Sequence, residues 1–317
     1  MPASSSWWRP QPGSFVTVPS KRKPVRSNRR SGSAAGIVVI LIVAVVAYLA
    51  LKPSARVPPP RATLCVAGPD GQGLELTTGQ AAIAATIAGV ASDRHMPTRA
   101  VAIAYATALQ ESKLTNLHYG DRDSVGVFQQ RPSEGWGTTQ QIEDPVYATS
   151  RFFEALAAVP NYLHLPIYMA AQAVQHSADG TAYAQYADMG SEMATAFTGS
   201  EPRGVWCTYG SAPGKARLAA ASQSLTSAFG PLSRHVSGDP AETITGLDPQ
   251  QGWAVASWLA ANASEYGITF VRYQGSQWLG FRGAGHWTAE PARKCGPCRW
   301  GRDARKRECS STFSASR

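Results

Sequence analysis

The sequence lacks a second long apolar run. Residues 34–51 form an apolar, uncharged stretch of 18 residues, and no apolar run of comparable length occurs elsewhere in the 317 residues. A channel or transporter needs a polar path lined by several membrane-spanning helices. A chain with one such run cannot build that path, so the sequence excludes conduction by this chain alone.

The part of the chain between its two ends also lacks excess basic charge. The formal net charge is +9, but residues 1–51 contain seven basic and no acidic residues, and residues 290–317 contribute +5, which leaves −3 for the residues between them. A nucleic-acid-binding domain needs a basic face. We therefore expect no nucleic-acid partner for the middle of the chain.

The uncharged stretch at residues 34–51 is long enough to cross a bilayer, for which about twenty residues are typical. The seven cations precede it, which predicts that the N-terminal side stays in the cytoplasm. A cleaved signal peptide is the alternative, but its charged region is usually short, whereas here 33 residues precede the apolar core. We expect an uncleaved single-pass anchor in the cell membrane, with the main domain outside the cytoplasm.

Composition divides the chain into segments around a mainly α-helical domain in which we find no convincing strand. One predicted helix, PTRAVAIAYATALQES, is apolar on every side and should be central and buried. Farther along, a helix with one apolar stripe and the alternating stretch ITFVRYQG predict a small α+β unit. The expected segments are a disordered basic cytoplasmic tail (1–33), the transmembrane helix (34–51), a Pro-rich linker (52–63), the helical domain (64–200), a linker (201–245), the α+β unit (246–289) and a disordered basic tail with cysteines (290–317).

The five cysteines fall into two groups. Cys65 and Cys207 flank the helical domain, and a disulfide between them would staple its two ends in a compartment where disulfides persist. The pairing itself cannot be read from sequence. In the tail, CGPC at 295–298 lacks the strand and helix context of a redox site, and a zinc site with His286 and Cys309 is the other use considered. We favour neither role, and we expect no metal and no cofactor.

A single acid, Glu111, stands near the end of the predicted central helix, in TALQESKL. Burial disfavours a charged carboxylate, and the partial negative charge of a helix C-terminus disfavours it further. Both effects favour the protonated form, which glycosidic cleavage requires of a general acid. On this local pattern alone, a solvated acid beside Lys113 is the simpler interpretation.

The wider motif changes that interpretation. ESKL is followed by GVFQQRP, with fifteen positions from Glu111 to Gly126. This arrangement resembles the lytic transglycosylase branch of the lysozyme-like superfamily, in which Glu-Ser precedes Gly-hydrophobic-Met-Gln and a proline at the same separation. The resemblance covers residues 81–184 and extends to a group of actinobacterial single-span proteins. It implies a lysozyme-like, goose-type fold for the helical domain, with Glu111 as the single catalytic acid and with Ser112 and Gln129 in a sugar-binding cleft.

Other residues of the same stretch complete the candidate site. Asp121 or Asp123 could activate water in an inverting muramidase, or could shape the loop by pairing with Arg122. If neither acts, the resemblance implies the transglycosylase route, in which Glu111 protonates the leaving oxygen and then deprotonates the sugar's 6-hydroxyl to close a 1,6-anhydro ring. Three aromatic side chains are candidates for stacking on sugar rings: Tyr119, Phe128 and Trp136.

The sequence therefore favours a membrane-anchored enzyme whose partner is the glycan strand of peptidoglycan outside the cytoplasm. The alternative is a lysozyme-like domain that binds peptidoglycan or scaffolds the cell envelope without cutting. This alternative rests on a Tyr-Asn-Ala-Gly turn, which the resembled family carries in a later helical region. The nearest stretch here is AVQHSA, with Gln175 and His176, and it lacks that turn.

Overall fold

The computed structural model describes residues 62–69, 72–177, 180–211, 213–237, 241–281, 285–290 and 298–301. The expected cytoplasmic tail, the expected anchor, most of the Pro-rich linker, Cys295 and Cys309 lie outside these residues. Within the described part, no helix combines the length and the apolar character needed to cross a membrane. The described fold is mainly α, with two small sheets.

Capping residues fix where the helices begin. Thr77 and Gln80 form a capping box in which each side chain accepts from the backbone N–H of the other. Asp144 caps a later helix whose first residue is Pro145. The described α-helices are α1 (Thr78–Asp93), α2 (Thr98–Ser112), α3 (Thr139–Ile142), α4 (Pro145–Ala158), α5 (Ile167–Gln175), α6 (Ala187–Phe197), α7 (Leu218–Phe229), α8 (Pro249–Ala261) and α9 (Ala263–Tyr266), and two 3-10 helices span Pro132–Glu134 and Gly180–Tyr186.

Helix α2 lies at the centre of the helical region. Residues 100–109 are all buried, and α2 packs mainly against α6 and also against α5. The prediction of a central helix that is apolar on every side is confirmed. The helix ends at Ser112 because the next two residues, Lys113 and Leu114, adopt left-handed backbone conformations with φ of 53° and 59°.

Two antiparallel sheets complete the described fold. Their strands are β1 (Leu64–Ala67), β2 (Leu74–Leu76), β3 (Val205–Thr208), β4 (Ser233–Ser237), β5 (Ala241–Thr245), β6 (Phe270–Tyr273), β7 (Ser276–Trp278), β8 (Thr288–Ala289) and β9 (Cys298–Gly301). The first sheet has the order β2-β1-β3, and the second has the order β4-β5-β9-β6-β7-β8. Cys65 and Cys207 are direct neighbours across β1 and β3 and form the disulfide that the sequence suggested. The predicted strand in ITFVRYQG is β6, and its neighbour is β7.

Three expectations about the organisation are wrong. Residues 201–245 are not a linker, because their described part contains β3, α7, β4 and β5. The helical domain does not lack strands, since it opens with β1 and β2. The basic tail is not wholly disordered, because Cys298–Gly301 form β9 between β5 and β6. Strands β1, β3, β5 and β9 each pair with a strand far along the chain, so local composition does not reveal them.

Helix α8 joins the two regions that the sequence separated. The single apolar stripe predicted for it is wrong, because residues 252–261 are all buried. The reason is that α8 contacts α1 of the helical region as well as strands β3 and β6. The helical and α+β regions therefore share one hydrophobic core, and the described residues from 62 to 301 belong to one compact unit.

Candidate active site

A cleft of about 1320 Å³ opens beside the C-terminal end of α2. It is bordered by the end of α2, by the loop that follows it, by α4 and by the connection between α5 and α6. The cleft brings together four of the residues predicted from sequence, and their side chains come from two segments of the chain: Glu111, Asp121, Gln129 and Trp136.

Ser112 holds the end of α2 against the loop that carries GVFQQ. Its buried hydroxyl donates to the Val127 carbonyl at 2.7 Å and lies 3.1 Å from the Ala108 carbonyl, and it accepts from the Thr115 N–H at 3.1 Å. The expected role of Ser112 in substrate binding does not fit its position, because the side chain is buried and is not part of the cleft wall. The Glu-Ser pair instead fixes the loop relative to the acid.

Glu111 is held by a residue that the sequence did not indicate. The Tyr183 hydroxyl donates to Glu111 Oε1 at 2.5 Å, and the Tyr183 side chain is almost fully buried. Burial raises the pKa of Tyr183 far above its ordinary value, and the hydrogen bond to Glu111 and the charge of Glu111 raise it further. A hydrogen bond with Ser177 lowers this pKa by less. Tyr183 is therefore a hydrogen-bond donor throughout the physiological pH range. Because Oε1 accepts from Tyr183, a proton on Glu111 belongs on Oε2.

Gln129 lines the cleft but uses its amide to shape the loop. Its Oε1 accepts from the Ser124 hydroxyl at 3.0 Å, and its Nε2 donates to the carbonyls of Gly126 and Tyr119 at 3.2 and 3.3 Å. The tight turn at Gly126 has φ of 80°, and a Cβ there would lie 2.6 Å from the Ile142 carbonyl oxygen. Glycine is therefore required for the loop to close against α3.

The three aromatic candidates differ in their positions. Phe128 is fully buried, and its ring stacks on Phe152 with centroids 4.5 Å apart, so the expectation that it contacts sugar is wrong. Tyr119 is 73% exposed and is not part of the cleft wall. Trp136 is half-buried and lines the cleft. The prediction that Phe128 stacks on sugar is wrong because its ring faces the core after the turn at Gly126.

The two candidate second carboxylates are also in different environments. Asp123 pairs with Arg131 Nε at 2.9 Å and accepts from the Ser133 N–H at 2.8 Å. The Ser133 N–H, with smaller contributions from the Ser133 hydroxyl and Arg131, lowers the pKa of Asp123 from 3.8 to about 2. Such a carboxylate is a weak base and already has its partners. Asp121 lies on the cleft wall with its side chain 93% exposed, 3.9 Å from Arg122.

Two more carboxylates border the cleft, and both are paired. Glu134 binds Arg131, and Glu154 binds Arg151 at 2.6 Å. Glu111 is thus the one cleft carboxylate, among the described residues, whose partner is a neutral donor. Such a carboxylate can exchange a proton with a ligand without breaking an ion pair.

The stretch AVQHSA lies against the GVFQQ loop at the other wall. Helix α5 ends at Gln175, and His176 follows with a left-handed backbone, φ 50°. Gln175 Nε2 donates to the Phe128 carbonyl at 2.8 Å, and both Gln175 and His176 line the cleft. An amide side chain at the end of α5 thus supports the loop.

Within the described ranges, no group of three or more His, Cys, Asp or Glu side chains is arranged to hold a metal ion. No protein-family model matches the chain. Likewise, no curated protein is significantly similar to it.

Proposed function

We propose that this chain is a membrane-anchored enzyme that cleaves the glycan strands of peptidoglycan, with Glu111 as general acid and base. The observation that carries the proposal is the Glu111 carboxylate, held by Tyr183 at 2.5 Å on the wall of a cleft of about 1320 Å³. The uncharged run at residues 34–51 would keep the domain at the outer face of the membrane, with the N-terminus in the cytoplasm. This placement suits a substrate that forms an insoluble mesh outside the membrane.

The cleft suits an extended, polar and uncharged ligand. Its volume of about 1320 Å³ exceeds the roughly 300–1,000 Å³ of pockets for drug-sized molecules. Its three arginines, Arg122, Arg131 and Arg151, each lie within 3.9 Å of a carboxylate, which leaves little surplus positive charge for an anionic polymer. Four amide side chains line the cleft: Gln110, Gln129, Gln130 and Gln175. The Nε2 groups of the last three already donate within the protein. Gln110 is therefore the amide best placed to meet the hydroxyl and acetamido groups of a sugar.

The proposed chemistry needs one acid, Glu111, which would carry the transferred proton on Oε2. Glu111 would give that proton to the glycosidic oxygen as the bond to the anomeric carbon breaks. The ionised Glu111 would then take the proton of the sugar's 6-hydroxyl, whose oxygen attacks the anomeric carbon and closes a 1,6-anhydro ring. Glu111 recovers its proton in this step, so no second carboxylate is needed. The ion pairs of Asp123, Glu134 and Glu154 leave Asp121, which is 93% exposed on the cleft wall, as the one candidate base for the alternative route of hydrolysis among the described cleft carboxylates.

A second candidate function is peptidoglycan binding without cleavage. Two observations favour it: the Gln129 amide is occupied by hydrogen bonds within its own loop, and AVQHSA replaces the Tyr-Asn-Ala-Gly turn. This candidate predicts that wild type and Glu111→Gln co-sediment equally with insoluble peptidoglycan and that neither releases soluble fragments.

The test uses the full chain in detergent micelles with purified peptidoglycan, and mass spectrometry of the soluble products. Wild type should release muropeptides that end in anhydro sugars, and Glu111→Gln should be slower by about 10²- to 10⁴-fold, the usual contribution of a general acid–base. Glu192→Gln, an exposed carboxylate outside the cleft, is the matched control and should cleave normally. Products with reducing ends would show hydrolysis instead, and release by Glu111→Gln at the wild-type rate would refute the role of Glu111.

A further inference from the structure

The last turn of α2 is held by the 3-10 helix Gly180–Tyr186 through two side-chain hydrogen bonds. The Tyr183 hydroxyl donates to Glu111 Oε1 at 2.5 Å, and Gln185 Nε2 donates to Gln110 Oε1 at 3.3 Å. Two adjacent side chains of α2 are therefore oriented by one short element. The Gln110 amide is fixed beside the proposed catalytic acid in this way.

The contacts of Gln185 determine which end of the Gln110 amide faces it. Gln185 Nε2 also donates to the Ala182 carbonyl at 3.0 Å. A carbonyl oxygen only accepts, so the end of the Gln185 amide that faces Ala182 must be its nitrogen. The same nitrogen faces Gln110, and the end of the Gln110 amide beside it must therefore be the oxygen. The remaining end of the Gln110 amide is its donor, Nε2.

The Nε2 group of Gln110 is an amide donor that the cleft can offer to a ligand. Gln110 lines the cleft, whereas Gln185, which holds its oxygen, is not part of the cleft wall. Among the residues that the structure describes, none accepts a hydrogen bond from Gln110 Nε2. The Nε2 groups of the other three glutamines of the wall all donate to backbone carbonyls. A ligand in the cleft therefore meets Gln110 as a donor and not as an acceptor.

A donor of fixed direction distinguishes between the polar groups of a glycan. The carbonyl oxygen of an acetamido group only accepts, so it complements the donor, whereas a hydroxyl can both donate and accept and would fit either end of an amide. Removal of the acetyl group leaves an ammonium, which only donates and would place two donors against each other. The Gln110 amide should therefore distinguish acetylated from de-acetylated sugars.

We propose that Gln110 is a specificity-determining residue that donates to an acetamido carbonyl of the glycan, and that Gln185 is the positioning residue that orients its amide. This inference rests on the proposed function for the identity of the ligand. Gln185 acts through Gln110, because it lies outside the cleft wall. Since Gln110 and Glu111 are adjacent in α2, the same contact would fix the sugar relative to the acid.

The test uses the full chain in detergent micelles with two substrates, purified peptidoglycan and the same material after enzymatic removal of its N-acetyl groups. The initial rate of muropeptide release and the co-sedimentation with insoluble material are measured on both, and the preference is the ratio of the acetylated to the de-acetylated value. Wild type is compared with Gln110→Met and Gln185→Met, which keep a side chain of similar length without the amide. Gln223→Met is the matched control, because Gln223 is an exposed glutamine of α7 outside the cleft.

Gln110→Met should lower the preference for acetylated material by about 2- to 12-fold, the range that one neutral hydrogen bond supplies. Gln185→Met should lower it in the same direction, and Gln223→Met should retain it. An unchanged preference in Gln110→Met, including equal slowing on both substrates, would overturn the acetamido contact, and an unchanged preference in Gln185→Met would overturn the role of Gln185.

The two readouts separate this inference from the proposed function. If wild type releases nothing from either substrate, the proposed cleavage fails. A preference in co-sedimentation that falls in Gln110→Met would still support the acetamido contact, and equal co-sedimentation of wild type with both materials would then overturn it.

Discussion

Replacing Tyr183 with phenylalanine should slow cleavage while leaving the fold intact. The substitution removes the hydroxyl that donates to Glu111 Oε1 at 2.5 Å and keeps the buried ring. A hydrogen bond to a charged group contributes about 1.5–3 kcal/mol. If that free energy holds Glu111 in its reactive orientation, Tyr183→Phe should release muropeptides about 10- to 150-fold more slowly, since about 1.4 kcal/mol corresponds to a factor of ten.

The assay is the initial rate of muropeptide release from purified peptidoglycan, measured for three proteins. Tyr186→Phe is the matched control, because Tyr186 lies in the same 3-10 helix but its hydroxyl accepts from Lys113. The rate of release by Tyr186→Phe should stay close to that of wild type. A wild-type rate in Tyr183→Phe, or an equal loss of rate in Tyr186→Phe, would refute the view that Tyr183 positions Glu111.

Three further predictions concern stability. Replacing Cys65 and Cys207 together with alanine should destabilise the fold by about 2–5 kcal/mol, because the bridge joins residues 142 positions apart; an unchanged thermal midpoint would contradict this. Phe128→Ala should cost about 3–5 kcal/mol in chemical denaturation, because the buried ring stacks on Phe152, and a negligible loss would contradict its place in the core. Asp123 has a folded-state pKa lowered from 3.8 to about 2, so its ionised form stabilises the loop above about pH 4, and this stabilisation is lost as the pH falls toward 2. Asp123→Asn should remove that part of the acid dependence of unfolding, and an unaltered dependence would argue against the Asp123 contacts.

The helical elements could be predicted from sequence because their signals are local. Residues 100–109 are apolar on every side of the helix, and this pattern predicts the burial of α2. Asp144 followed by Pro145 predicts the start of α4. The disulfide could be suggested from sequence because Cys65 and Cys207 flank one region. The pairing of β1 with β3, which brings the two cysteines together, could not be predicted.

The remaining features depend on contacts between distant parts of the chain. Tyr183 reaches Glu111 across 72 positions, and no local pattern marks it. Strand β9 lies between β5 and β6 in the second sheet, and both of these partners come earlier in the chain, so no pattern within Cys298–Gly301 marks the strand. Phe128 belongs to the motif that suggests a cleft, yet the left-handed backbone at Gly126 turns its ring toward Phe152. In these cases spacing along the sequence does not specify which way a side chain faces.

The most direct measurement compares wild type with Glu111→Gln on purified peptidoglycan, with soluble products and co-sedimentation followed in the same samples. We expect wild type to release anhydro-ended muropeptides and Glu111→Gln to release almost no muropeptides. Both proteins should bind equally to the insoluble peptidoglycan. Equal release by the two proteins, or binding without release by wild type, would contradict the claim that Glu111 cleaves the glycan.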